Sequence, residues 1–320
     1  LEYYTKSTNH TTVWVAPLAT NLVSSGTNAF WAPNAGYTSS FISDPKVVFD
    51  PATQRFFVIM QENTGSQAFL NIAVSRNSDP RSPSGSDWYF YRSEVTDTWS
   101  FPVVGDTKIG IDYPGVAVDS RALTVVFNAF ALNQAKGLNG AENFGSRMFV
   151  FDKRKLIAGI RDAPRVWSNQ APFDLPLLEN DSTTIMPAQP IGKSDPGNRI
   201  FAVQLHHEFP YLDGNWTIRL HVINDPLGTF SYQYDDVPID SPNGDPGGAP
   251  QPASGPGVDT GALKPLSACY LDNKVWLAYT QKGDSGNSVV HWVAILPRTR
   301  EFGGTILYLD GYIDAGPGVW

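Results

Sequence analysis

Short apolar runs separated by polar turns recur along this chain, and four stretches share one order: a proline, an apolar run, a turn with Asp or Asn, and a second apolar run. They read PKVVFDPATQRFFVIM from Pro45, PGVAVDSRALTVVFNAF from Pro114, PAQPIGKSDPGNRIFAVQL from Pro187 and PLSACYLDNKVWLAYT from Pro265, and a fifth begins as PGVW at Pro317. Short runs rich in β-branched and aromatic residues, bounded by Gly, Pro, Asn and Asp, read as strands. The pattern predicts strands at 46–49, 55–60, 69–75 and 88–92 in the first unit, and at 115–118, 123–130, 147–151 and 165–168 in the second. The third unit gives 186–191, 199–206, 216–223 and 229–234, and the fourth 266–271, 274–280, 289–296 and 305–309. Ahead of the first unit, 2–5, 12–16 and either 21–24 or 29–32 are further candidates.

The four prolines stand 69, 73 and 78 residues apart, and a repeat of that size holds about four strands of ordinary length with their turns. That is the size of a propeller blade. The expected fold is all-β, a β-propeller of four-stranded antiparallel blades in one domain over 1–320. Blades fall at approximately 45–100, 112–170, 184–236 and 260–310. The unfinished fifth copy, 313–320, joins 1–33 in a last blade that closes the ring, because closure removes the open sheet edge of a linear stack. Five blades follow; six or seven apply if the chain is a fragment of a larger ring. The Gly/Pro-rich stretch 238–257 cannot pair as a strand and reads as a loop insertion.

Composition narrows the partners. With 23 basic against 31 acidic residues the net charge is −8, which repels a phosphate backbone, so no nucleic acid is expected. No apolar run reaches the roughly 20 residues of a membrane-spanning helix, so no membrane insertion is expected. The chain opens at Leu1 without Met or a leader-like apolar run, which reads as a processed, secreted or extracellular protein. Cys269, the one cysteine, allows no intrachain disulfide and reads as a core residue. Walker loops, CxxC pairs and HExxH are missing, which sets aside phosphoryl transfer, zinc fingers and zincins. Sequons at Asn9, Asn180 and Asn215 matter only in a eukaryotic secretory pathway.

Inner strands of a propeller run parallel to the axis, so their first residues converge on one mouth of the channel. Just ahead of the repeat proline stand Asp44, Asp112, Glu179 and Asp181, Asp259 and Asp314, one carboxylate or more in every unit. Gathered like charges raise one another's pKa or call for a cation. Asp181, Asp259 and Asp314 are candidate ligands for a calcium ion in the channel, although no cofactor is required. Equally, a carboxylate at the start of a strand can merely tie the turn.

Two resemblances carry further expectations. SRNSDPRSPSGSDWYFY and INDPLGTFSY resemble a degenerate Asp-box of the neuraminidase-repeat propellers, a turn that is structural in that family. Ser43-Asp44-Pro45 and Asp112-Tyr113-Pro114 resemble the inner-strand motifs of five-bladed glycosidases of the arabinanase, xylosidase and invertase kind. That resemblance implies a glycoside hydrolase acting on an oligo- or polysaccharide. Asp44 would be general base or nucleophile, Asp112 a modulator of pKa and Glu179 the general acid. The unit-three strand TTIMPAQP departs from the pattern, since its nearest acids lie upstream. Trp31, Phe41, Tyr113 and Tyr211 are candidate platforms for sugar rings, and His207 a lone titrating group at the mouth. His207, Tyr211 and Arg219 are also the residue types of a polysaccharide lyase. A non-catalytic lectin or extracellular interaction propeller is the other class; a lectin repeats its site in every blade, whereas here the loops differ from unit to unit.

Overall fold

The computed structural model describes residues 2–6, 11–15, 31, 42–81, 85–101, 105–132, 143–170, 184–207, 216–240, 242, 264–283, 288–297 and 304–314. The chain is all-β and built of propeller blades whose strands pair almost entirely in antiparallel fashion, most with a neighbour in sequence. It divides into two compact units, Leu1–Pro176 and Leu177–Trp320.

The first unit opens with β1 (Glu2–Lys6) and β2 (Thr11–Val15), an antiparallel pair. A four-stranded sheet follows, with β3 (Ile42–Asp50), β4 (Arg55–Asn63), β5 (Ala68–Ser75) and β6 (Trp88–Glu94) in sequence order. The next sheet has five strands: β7 (Asp97–Phe101), β8 (Gly105–Val118), β9 (Ala122–Ala131), β10 (Asn143–Asp152) and β11 (Arg165–Gln170). Between β10 and β11 lies a short helix, α1 (Lys153–Ile157), whose first turn is capped by the Asp152 carboxylate accepting from the Arg154 N–H; this satisfies one of the amides that a helix start leaves open.

One core joins these two sheets. Phe57, Ile59, Leu70, Ile72 and Val74 of the first meet Ile111, Val125, Phe127, Phe149 and Phe151 of the second, all buried. Fully burying each such side chain is worth about 1.5–3 kcal/mol. The opposite face of the first sheet carries a second cluster, Val58, Met60, Ala73 and Trp88 around Trp31. A buried ion pair ties the turns together: Lys153 Nζ lies 2.9 Å from Asp50 Oδ2 and also donates to the Asp119 carbonyl. Asp50 in turn accepts from Ala52 N–H and the Thr53 hydroxyl. Burial of this kind is tolerable only because each charge keeps several partners.

In the second unit, β12 (Ile185–Pro187), β14 (Arg199–His207), β15 (Trp216–Asn224) and β16 (Ser231–Pro238) form one sheet. The other consists of β13 (Gln189–Pro190), β17 (Ser267–Leu271), β18 (Lys274–Lys282), β19 (Ser288–Leu296) and β20 (Ile306–Ile313). The β15–β16 turn is the Asp-box-like segment. Asp225 Oδ2 accepts from the Thr229 N–H at 2.7 Å and its hydroxyl at 3.0 Å, and Oδ1 accepts from Asn198 Nδ2. A Cβ on Gly228 would stand 2.0 Å from that carboxylate, so the turn closes only over glycine. Its role is to cap a turn.

Every strand expected in the four full units is present, mostly one to three residues longer. Three features depart from expectation. The inner strand of the second sheet begins at Gly105, well ahead of Pro114, and recruits β7; the polar stretch GDTKIG concealed this extension. Helix α1 was not foreseen in a run of only five residues. The stretch expected as one strand over 186–191 is divided between two sheets, with Gln189 and Pro190 pairing in parallel with Cys269 and Tyr270. Residues 315–320, the expected inner strand of a fifth blade, lie outside the described residues, as does most of the 238–257 insertion.

Candidate functional site

The site begins with two backbone irregularities. In the β3–β4 ladder Ser43 faces Gln61 and Lys46 faces Ile59, so Asp44 and Pro45 stand where one residue would. In the β8–β9 ladder Asp112 faces Asn128 and Gly115 faces Val126, so Tyr113 and Pro114 do the same. Both are β-bulges, which bend a strand and re-aim its side chains. Both place the residue before proline in the left-handed region, Asp44 at φ 52° and Tyr113 at φ 54°. Asp tolerates that region; a bulky Tyr rarely occupies it. Among the described residues the inner strands of the second unit carry no left-handed residue at Met186 or Lys264, the positions before their prolines. The bulge therefore belongs to the first unit's two sheets.

The register keeps Pro45 and Pro114 in step, as the repeat expected. Asp44 corresponds to Tyr113, and Asp112 corresponds to Ser43, one residue earlier. The two carboxylates nevertheless converge, because a third residue joins them. Gln61, at the end of β4 and 1% exposed, donates from Nε2 to Asp44 Oδ2 at 3.1 Å and to Asp112 Oδ1 at 2.6 Å. Both oxygens touch one nitrogen, so their separation cannot exceed the two bonds laid end to end. Asp44 and Asp112 are both exposed, so the pair opens to solvent while its holder is buried. Lys46, on the far side of the first bulge, sets its ammonium 5.5 Å from the centre of the Tyr113 ring, a cation–π contact across the two sheets.

The residues after Gln61 anchor it. Asn63 Nδ2 donates to the Ile111 carbonyl at 2.8 Å and Asn63 Oδ1 accepts from the Ile111 N–H at 3.4 Å, so its amide clasps the backbone of β8 as another strand would. Glu62, fully buried, points to the other face and is held by Arg92 through two bonds of 2.9 and 3.0 Å and by Asn71 Nδ2 at 3.0 Å. Glu62 and Asn63 are thus structural strand residues. Gln61 was not foreseen at all. The sequence offers one signal: three polar residues in succession close the apolar run RFFVIM, which marks the strand end as polar without naming a partner.

The other expected site residues fare differently. Trp31, expected to offer a sugar platform, is 1% exposed and packs edge-on against Phe90 with ring centres 5.9 Å apart; its face is spent on the core. Glu179, Phe41, Tyr211, Asp181 and Asp259 lie outside the described residues, and so does the His207 side chain. Asp314 is exposed just after β20. Among the described residues no three His, Cys, Asp or Glu side chains gather as metal ligands. Arg219, expected to face a uronate, pairs instead with Asp236 through bonds of 2.7 and 2.8 Å and lies 4.2 Å over the Tyr234 ring. That engagement leaves the lyase set without its free cation.

The chain matches no protein-family model and no curated protein. Among solved structures it is similar to one described as an exo-1,5-alpha-L-arabinanase from a bovine ruminal metagenomic library. The two are 9% identical over 86% of this chain and 80% of that one, with a TM-score of 0.39. Likeness of that degree carries nothing about activity.

Proposed function

We propose that this protein is a carbohydrate-active enzyme, a glycoside hydrolase whose reacting carboxylates include Asp44 and Asp112. In this reading Asp44 is the base or nucleophile, Asp112 the neighbouring carboxylate that tunes it, and Glu179 the acid that protonates the leaving oxygen. Tyr113, half-buried beside the pair, offers a ring face to the sugar. The observation that carries the reading is the pair itself: two solvent-open carboxylates from neighbouring inner strands, each beside a strained bulge, bridged by one buried amide. A glycan-binding propeller with equivalent sites would repeat the arrangement, and the second unit's described inner strands do not.

Hydrolysis of arabinan, xylan, galactan, fructan and uronate polymers by the wild type and by Asp44→Asn tests it. One polymer should be cleaved, and the variant should lose roughly 100- to 10,000-fold in kcat, as expected for removal of a general base. Binding of a polymer without turnover by either protein would instead assign a lectin, and full activity in Asp44→Asn would remove Asp44 from the mechanism.

A further inference from the structure

We infer that Gln61 is a positioning residue that holds Asp44 and Asp112 together as one bridged pair. The inference rests on reading those carboxylates as reacting groups, and it adds the residue on which their chemistry depends. An amide nitrogen carries two hydrogens and no acceptor, so it can face two carboxylates at once and give each its own bond. The orientation of the amide follows from these partners, since its carbonyl turned the same way would meet two acceptors. Neither acid can move away from the other without breaking a bond to the same atom.

The anchoring makes this more than a chance contact. Gln61 lies within the β3–β4 and β4–β5 ladders, opposite Ser43 and Leu70. Its neighbour Asn63 grips Ile111, the residue before Asp112, by both backbone groups. Gln61–Asp112 and Asn63–Ile111 therefore form one latch between β4 and β8, and the latch fixes the distance between an acid on each sheet. Among the described residues, Lys46 on β3 and Tyr113 on β8 are ionisable groups beside the pair; Glu62 on β4 faces away, paired with Arg92. A carboxylate in place of Gln61 would bring three acids to one point, and like charges so placed cannot all ionise at the same pH.

The test uses side-chain amide signals of protein labelled with ¹⁵N-glutamine, together with pH–rate profiles. In the wild type the two Gln61 amide protons should respond separately, Asp44→Asn displacing one and Asp112→Asn the other. Gln61→Glu should move the acidic limb of the pH–rate profile upward by about one unit or more and lower kcat with little change in KM. Gln61→Asn, with its amide one methylene short, should fall between. Amide protons that neither aspartate variant moves overturn the inference, as does a folded Gln61→Glu with the wild-type profile. Should Gln61→Glu not fold, the amide signals of the wild type and the two aspartate variants decide alone. Should the wild type cleave no glycan, the hydrolase reading falls while those signals still decide whether the latch exists.

Discussion

His221 on β15 and His291 on β19 are each 1% exposed, and each is held by a tyrosine hydroxyl and a side-chain oxygen. Nδ1 of His221 meets the Tyr232 hydroxyl at 2.9 Å and Nε2 meets Gln204 Oε1 at 3.1 Å; Nδ1 of His291 meets the Tyr279 hydroxyl at 2.6 Å and Nε2 meets Asp310 Oδ2 at 3.0 Å. A carbonyl or carboxylate oxygen at Nε2 requires the proton there, leaving Nδ1 to accept from the tyrosine. For His221 burial pushes the pKa down to about 3, with Arg219 and His206 adding repulsion. Tyr232 moves the other way, up to about 12, again chiefly through burial. As pH falls below about 6.5, the unfolded chain protonates this histidine and the folded one refuses until about pH 3. Between those limits stability should fall by about 1.4 kcal/mol per pH unit on account of His221 alone. His221→Gln, uncharged at every pH, should be less stable than the wild type at pH 7 and lose stability less steeply from pH 6 to pH 4. Urea unfolding at each pH measures both slopes, and parallel curves would refute the assignment.

At the scale of elements, the two bulges decide where the site's side chains point, and they store strain in different amounts. Tyr113 at φ 54° pays for a conformation that costs an ordinary L-residue roughly 1–2 kcal/mol. Asparagine enters that region readily, whereas valine, branched at Cβ, does not. Tyr113→Val should therefore be less stable than Tyr113→Asn by about 1–2 kcal/mol, read from denaturation midpoints, with glycan turnover reduced in both by loss of the ring. Equal stability of the two variants would mean the residue has relaxed out of the left-handed region. The bulges also explain what the sequence could and could not disclose. Alternating apolar runs such as RFFVIM and KVWLAYT need nothing but a period of two to be read as strands, so the strands of the four full units were legible. Asp44 and Asp112 were legible as acids ahead of a proline, but the bulge at each proline was not, because it inserts a residue that no local pattern announces. Gln61 was hidden for a different reason. Its importance comes from a residue 51 positions away, and only the packing of β4 on β8 brings the two together.

Over the whole molecule, charge and apolar exposure set opposing tendencies. The net charge of −8 keeps copies apart at pH 7 and vanishes near the isoelectric point of about 5.1. Against it stands β20, which among the described residues pairs only with β19. Its sequence, ILYLDGYI, has none of the lysine or proline that commonly protects an outer strand, and Leu309, Tyr312 and Ile313 are 49, 52 and 63% exposed. Contact through such a strand gains apolar burial and strand pairing and is opposed mainly by like charge. Light scattering should accordingly peak near pH 5. At pH 7 it should rise as salt goes from 10 to 150 mM, because the screening length shortens from about 30 to about 8 Å. Near pH 5, where little net charge remains to screen, salt should have little effect. Leu309→Glu with Ile313→Glu interrupts the apolar row and adds two negative charges, so scattering at pH 7 should drop and the maximum should move to lower pH. A shift of the maximum without any drop at the new isoelectric point would mean that the added charge acts alone and that copies meet through some other surface.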